Sequence, residues 1–252
     1  MSGSHCTMRF LFLTLWLSLC GGAAVFAAER PQPSTLLAQA DNFRQQDESA
    51  ELRVKLKSTK DQKPDGDSEM RVRLKGTDLS LVEVLSGRSA GQVVLMSKEA
   101  VWVRMPRASL PIRITPIQRL MGEASYGDLG RLRWQDDYAA QYQVNAEQTV
   151  NDISVWALSL TAAKPTAAYA KMDLYIARDG GWPVQAVFYL KSGKLFKTAR
   201  FDKPVKIGSR VLTQRTVFSD GVDSTQQTEM VIESVTAKDF PSQKFTLDGL
   251  ME

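Results

Sequence analysis

Asp128, Asp136 and Asp137 lie close together in sequence, and carboxylates so grouped could hold a hard cation or run general acid–base chemistry. Their spacing is irregular and falls in a loop, a pattern that serves equally for solvated charges or helix caps. Other reactive groups are sparse. Beyond residue 28 the chain has no cysteine and no histidine, since Cys6, Cys20 and His5 all precede it. Thiol and imidazole nucleophiles, disulfides and the usual zinc, copper and haem ligand sets are thereby excluded from that part. No GxSxG elbow, SxxK pair or phosphate-binding glycine loop occurs, so the glycines are assigned to turns. The expectation is a non-enzymatic chain with no cofactor and no metal. A carboxylate-dependent hydrolase of envelope lipids, using Asp128 or Asp136, is the alternative from another class.

The first 28 residues carry the marks of a targeting segment. Met8 and Arg9 make a basic start, Phe10 to Leu19 is an apolar run too short to span a bilayer, and GGAAVFAAE offers small residues for cleavage after Ala27 or Ala28. A lipoprotein anchor at Cys20 is the minor alternative, opposed by the bulky Leu19 before it. Export to the periplasm is the expected localisation. The remaining residues, 29–252, are expected to form one domain with a small positive excess, in keeping with the net charge of +4 for the whole chain. That excess suits an anionic membrane surface or an acidic partner and is too small to argue for nucleic acid.

The elements that would position any site are mostly strands. Pro33 to Gln46 predicts an N-terminal helix, capped by Ser34 or Thr35, with Leu36, Leu37, Ala40 and Phe43 at helical spacing. The period then changes to two. Leu52, Val54 and Leu56 alternate with Arg53, Lys55 and Lys57, and Met70, Val72 and Leu74 alternate with Arg71, Arg73 and Lys75; KPDGD is read as the hairpin turn between them. The basic outer positions Arg53, Lys55, Arg71 and Arg73 could touch anionic headgroups or an acidic partner, or form a solvated face. Further strands are predicted at 79–85, 92–97, 101–105, 153–160, 171–178, 184–190, 194–201, 211–218 and 225–236, with 136–145 ambiguous. About ten or eleven strands and one N-terminal helix suggest a mainly β fold with a single curved antiparallel sheet, a half-barrel.

Between strands, the segment from Ile117 to Leu129 is punctuated by Pro116 before it and by Gly122 and Gly127 within it. It is expected to place Ile117, Leu120 and Met121 on one side of a short helical lid over the concave face. The inner face predicted by alternation comprises Leu52, Val54, Leu56, Met70, Val72, Leu74, Trp156, Leu158, Leu160, Met172, Leu174, Ile176, Phe188, Leu190, Met230 and Ile232. Alternation shows which side is apolar. Whether that side is a packed core or a ligand cavity it leaves open.

Several stretches together resemble a known family. RVRLKGTDLSLVEVLSGRSAGQVVLMSKEAVWVRMPRASLPIRIT, QRLMGEASYGDL, KPTAAYAKMDLYIARDGGWPVQAVFYLKSGKLFKTARFDKPVKIGSRVL and the ending KFTLDGLME are similar, in order and content, to LolA-like outer-membrane lipoprotein-sorting proteins. The likeness covers nearly all of residues 29–252. It implies a half-barrel with helices over its mouth, enclosing an apolar cavity for acyl chains of a lipoprotein or lipid, with transient membrane contact and transfer between inner and outer membranes. The sixteen inner-face residues would then line the cavity. The stretch Glu123-Ala124-Ser125-Tyr126-Gly127 departs from the acidic and aromatic segment that relatives commonly carry after the MG. The broader family also resembles periplasmic accessories of lipid exporters of the RND/MMPL or ABC type, which makes an inner-membrane exporter and an outer-membrane acceptor the alternative partners.

Overall fold

The computed structural model describes residues 2–3, 30–44, 49–97, 100–108, 110–115, 117–130, 133–165 and 167–251, without the side chains of 119–121. The expected targeting segment therefore lies almost wholly outside the described residues. Helix α1 (Pro33–Asn42) is followed by β1 (Ser49–Lys60), β2 (Lys63–Lys75), β3 (Leu79–Val84), β4 (Val93–Met96), β5 (Val101–Arg104) and β6 (Ile112–Ile114). Next come β7 (Arg119–Met121), β8 (Ala124–Ser125), α2 (Tyr126–Gly130), β9 (Tyr138–Val150), β10 (Ile153–Ala162), β11 (Lys171–Ala177), β12 (Pro183–Tyr189) and β13 (Leu195–Phe201). The chain continues as β14 (Val205–Ile207), β15 (Arg210–Leu212), β16 (Arg215–Asp220), β17 (Gln227–Ala237), a 3-10 turn (Ser242–Phe245) and α3 (Leu247–Met251). Among the described residues no helix is long and apolar enough to cross a membrane.

Thirteen strands form one open antiparallel sheet in the order β6-β5-β4-β3-β2-β1-β17-β16-β13-β12-β11-β10-β9. Two meanders are thus joined by the pairing of β1 with β17, with Leu52 opposite Val235 and Leu56 opposite Met230. The strand count exceeds the ten or eleven expected for two local reasons. Ile112–Ile114 pairs with β5, Val101 facing Ile114 and Val103 facing Ile112. The ambiguous stretch at 136–145 becomes the edge strand β9, whose outward Val144 blurs the alternation. The stretch predicted as one strand at 211–218 is two, β15 and β16, which belong to different sheets.

Two further expectations are corrected. The β1–β2 turn is not KPDGD but the two residues Asp61 and Gln62, with φ of 49° and 61°. Such paired positive values make a type I′ turn, whose twist matches the flanking strands. Pro64 and Gly66 lie within β2. A proline fits there because β3 pairs with β2 only from Met70 to Lys75, leaving the far side of Pro64 without a ladder to donate to. Helix α1 likewise begins after Gln32 with Pro33 in its first turn and takes no side-chain cap from Ser34 or Thr35.

The sheet bends around α2. Asp128 of α2 pairs with Lys197 of β13, while a Cβ on Gly130 would lie 2.5 Å from Met96 Sδ on β4. In a flat sheet β4 and β13 would stand six strand spacings apart, roughly 29 Å. A helix of five residues meets both only because the sheet curls about it. One apolar cluster occupies the concave side and includes α1 (Leu36, Leu37, Ala40), α2 (Tyr126, Leu129) and inward residues of β1 to β5, β9 to β13, β16 and β17. On the convex side the C-terminal segment seats Phe240, Phe245 and Leu250 against Leu81 and Leu95.

The outer face of β1–β3 is less basic than the sequence suggests, because acidic residues interleave with the cations. Arg71 meets Glu83 at 2.9 Å, Arg73 meets Glu51 at 3.1 Å, and Lys55 meets Glu69 at 3.6 Å. Cross-strand pairs of this kind contribute little each but neutralise the face.

The lid segment takes a different form from the predicted helix. Residues 119–121 are strand β7, turned back on β8, and the helix comes later, at 126–130. Gly122 forms the turn with φ +52°, and its backbone rests on the Ser58–Thr228 hydroxyl pair. A Cβ there would lie 1.9 Å from Ser58 Oγ and 2.2 Å from Thr228 Oγ1. Gly122→Ala is therefore expected to lift the β7–β8 hairpin off the sheet, costing about 1–3 kcal/mol in chemical denaturation and raising amide exchange at Glu123, whose N–H donates to Thr228 Oγ1 at 2.7 Å.

Candidate functional site

Strand β13 turns Lys197, Ala199 and Phe201 toward the concave face, and its alternation puts an ammonium group in the core. Lys197 is wholly buried. Its Nζ pairs with the Asp128 carboxylate and donates to the Glu123 carbonyl at 2.8 Å. Aromatic rings complete the surroundings, with Phe218 at 4.4 Å, Tyr169 at 5.4 Å, Phe188 at 5.5 Å and Phe196 at 5.8 Å from Nζ to ring centroid. Faces of rings attract a cation, and here they do so away from water.

Asp128 belongs to α2, a helix too short to persist by itself. Its local support is one half of a capping box. The Ser125 backbone N–H donates to Asp128 Oδ2 at 2.7 Å and the Ser125 hydroxyl at 2.9 Å. Tyr169 O–H donates to Oδ1 at 2.8 Å, and the Tyr138 hydroxyl accepts the Tyr169 N–H at 3.0 Å. Burial, followed by the Asp128 charge, pushes the Tyr169 phenol well above its usual range. The phenol therefore stays a donor.

A second polar anchor ties down α1. Asp41, at the end of that helix, accepts the backbone N–H groups of Trp134 at 2.8 Å and Gln135 at 2.9 Å. The Arg44 guanidinium lies over the Trp134 ring at 3.8 Å, and Trp134 meets Phe201 edge-on at 5.8 Å. Burial raises the Asp41 carboxyl to about 6, against a lowering pull from Arg44. The same burial depresses the Arg44 guanidinium.

Between the two anchors lies a small cavity of about 40 Å³, bordered by Arg44, Asp128, Trp134, Tyr169, Phe188, Phe201, Phe218, Met230 and Ile232, among others. That is little more than one water's share of liquid volume, ~30 Å³. Of the sixteen inner-face residues predicted by alternation, fifteen are buried in the concave cluster, but only Phe188, Met230 and Ile232 border this space. Leu190 stands outside the cluster, half-buried in the turn after β12. Ile117 is half-buried against the cluster, whereas the side chains of Leu120 and Met121 lie outside the described residues.

The three carboxylates singled out by spacing do not converge. Asp128 faces Lys197, Asp136 pairs with Arg133 at 2.9 Å, and Asp137 lies 3.8 Å from Lys164. Among the described residues no group of acidic side chains is placed to hold a metal ion. The sequence reading missed Lys197, Tyr169, Trp134, Arg44 and Asp41. For Lys197 a signal existed, because it shares the parity of Ala199 and Phe201.

This architecture recurs in solved structures. A LolA superfamily protein from Nitrosomonas europaea matches with a TM-score of 0.79 and 28% identity, over 88% of this chain and 100% of that one. The chain shares the fold of that LolA superfamily protein. Two more distant LolA-like folds are a DUF1329 family protein from Desulfovibrio piger and a domain described as outer membrane lipoprotein-sorting from Vibrio parahaemolyticus. The first has a TM-score of 0.72 at 18% identity over 86% of this chain and 97% of the other. The second has 0.69 at 15% over 88% and 100%. A family model described as that of an uncharacterized protein, of a "-like" group, matches residues 76–252, and the chain belongs to that family. No curated protein matches.

Two outcomes test the anchors. Lys197→Met should lower stability by about 3–5 kcal/mol in urea, since it leaves Asp128 buried without its cation, and adding Asp128→Asn should recover part of the loss. For Asp41 the folded carboxyl sits at about 6 against an ordinary 3.8. A raised acid favours folding below pH 3.8 and loses that contribution as pH climbs through 6. Stability should therefore fall across that window by on the order of 3 kcal/mol relative to Asp41→Asn, compared by denaturant midpoints at each pH.

Proposed function

We propose that this protein carries the acyl chains of a lipoprotein or lipid on the concave face of its sheet, shielding them in the periplasm between inner and outer membranes. One observation carries the reading. The apolar face of a thirteen-stranded sheet is covered by separate short pieces: a ten-residue α1, a five-residue α2 and the two-stranded hairpins β7–β8 and β14–β15, whose Ile207 and Leu212 join the cluster. Likeness to the LolA superfamily protein gives the fold a carrier context, and the lipoprotein-sorting description of the Vibrio parahaemolyticus domain supplies the cargo class proposed for this chain.

The magnitudes suit a carrier. One chain of about 14 methylenes gains roughly 11 kcal/mol on leaving water, at about 0.8 kcal/mol each. A bilayer offers nearly the same, so a carrier needs only to shield the chain and to open on contact with an acceptor. With about 40 Å³ free inside, the structure described here is the closed state, and loading requires α1 or the α2 unit to move. In this proposal Ile117, Leu120 and Met121 belong to the moving cover, and the fifteen clustered inner-face residues receive the chain. Hydrolysis is the weaker reading, because the Asp128 oxygens are already taken by Lys197, Ser125 and Tyr169 and Asp136 is held by Arg133.

Native mass spectrometry of the protein, purified from its own cell envelope without detergent, should show an acylated species bound near one to one, released by solvent extraction. Preparations that remain empty, even when incubated with lipid vesicles, would overturn the carrier reading.

A further inference from the structure

The β7–β8 turn and a wide groove meet opposite ends of β13. Gly122 and Glu123 rest on Ser58 at the end of β1 and Thr228 at the start of β17, and Lys197, near the start of β13, reaches the Glu123 carbonyl. The other end of β13 is Phe201, four residues on and roughly 13 Å away. There a groove of about 860 Å³ runs between the end of α1, the β11–β12 turn and the β14–β15 hairpin. Its walls include Phe43, Trp182, Val184, Phe201, Val205 and Val211. Val205 and Val211 are exposed and lie on the two strands of one small hairpin, in offset register.

Phe201 also borders the small interior cavity beside Trp134 and Asp128. Phe201 therefore stands between the groove and the core-side cavity. Arg44 lies on the cavity side of this wall and its neighbour Phe43 on the groove side, so the end of α1 forms part of the same partition. Two exposed cations, Arg200 and Lys203, stand at the groove's margin. Two carboxylates also line the groove: Asp179 is exposed at the β11–β12 turn, and Asp202 is engaged by Arg215 at 3.2 Å.

We propose that this groove is the entry site for a fatty-acyl chain with an anionic head, which lies along Trp182 and the hairpin valines with its head at Arg200 and Lys203, and reaches the concave face by displacing Phe201. The inference rests on the carrier reading above and adds to it a route and a first binding site. Volume and lining suit such a ligand, since sites for small amphiphiles are apolar clefts of roughly 300–1,000 Å³ with a few polar groups at one end. The position explains why α1 is fastened by Asp41: displacing Phe201 loosens Trp134, the residue on whose backbone that fastening depends.

Tryptophan positions supply the test. Trp182 lies in the groove and Trp134 at the interior cavity. Dibrominated stearic acid, which quenches indoles on contact, is titrated into the full-length mature protein. Saturable quenching is expected, lost for the most part in Trp182→Phe. Binding should weaken about tenfold in the double variant Val205→Asp/Val211→Asp, whose exposed sites leave the core untouched. Phe201→Ala should increase quenching of Trp134. Saturable quenching that survives both Trp182→Phe and the valine changes would overturn the entry site while leaving the carrier reading intact. Absence of saturable quenching, together with no lipid extracted from the native protein, would remove both. Should the valine changes alter only self-association, the hairpin is an interface with a second copy, and the entry site falls.

Discussion

An open sheet with one apolar face must have that face covered, and the width of this sheet makes the covering the governing constraint on the molecule. Thirteen strands curl inward until their own side chains fill much of the concavity. The remainder is closed by segments too short to hold together independently. Burial keeps them against the sheet, but burial is non-directional and cannot fix where each piece sits. A few directional bonds do that: Lys197 with Asp128, Asp41 with the Trp134 and Gln135 amides, and Thr228 with Glu123. A cover fastened at points can leave as a unit, in a way that an interdigitated second sheet cannot.

Lys197 is the most demanding of these fastenings. Desolvating an ammonium and a carboxylate costs several kcal/mol each, and only good geometry with further hydrogen bonds recovers it. Ser125, Tyr169 and the Glu123 carbonyl provide those bonds, and four aromatic rings line the remaining directions. The pair thus contributes position more than net stability. Because the cation comes from the sheet and the anion from the cover, it ties the two layers at one register.

Much of the sheet was legible from period-two alternation, since a strand with one buried face has no other way to arrange its apolar residues. Leu52, Val54, Leu56 and their partners on β2, β10 and β11 were readable in this way. Three places resisted. KPDGD has the composition of a turn, yet an unpaired flank lets Pro64 stay in a strand, a fact of sheet width that no local window contains. Ile117 to about Met121 reads as a short helix or loop because a proline precedes it, while tertiary contact of Gly122 with Ser58 and Thr228 selects a hairpin. Lys197 was passed over because a lysine inside a strand is ordinarily turned to solvent. Its partner lies 69 residues away, and nothing in the local sequence announces it.

The seam between β1 and β17 also governs how the chain can fold. Each half of the sheet is a meander of neighbouring strands, able to form as soon as its own residues are present. The centre is different: it joins Ala50 to Ala237 and Thr59 to Gln227, so that the middle of the sheet is its most non-local contact. Loop closure on that scale is slow, and folding rates fall as the sequence distance between contacts grows. A chain emerging from its N-terminus holds β1 and β2 with one side unsatisfied until the last strand arrives. During that interval the exposed edge of β1, twelve residues long, is the place where a wrong strand would pair.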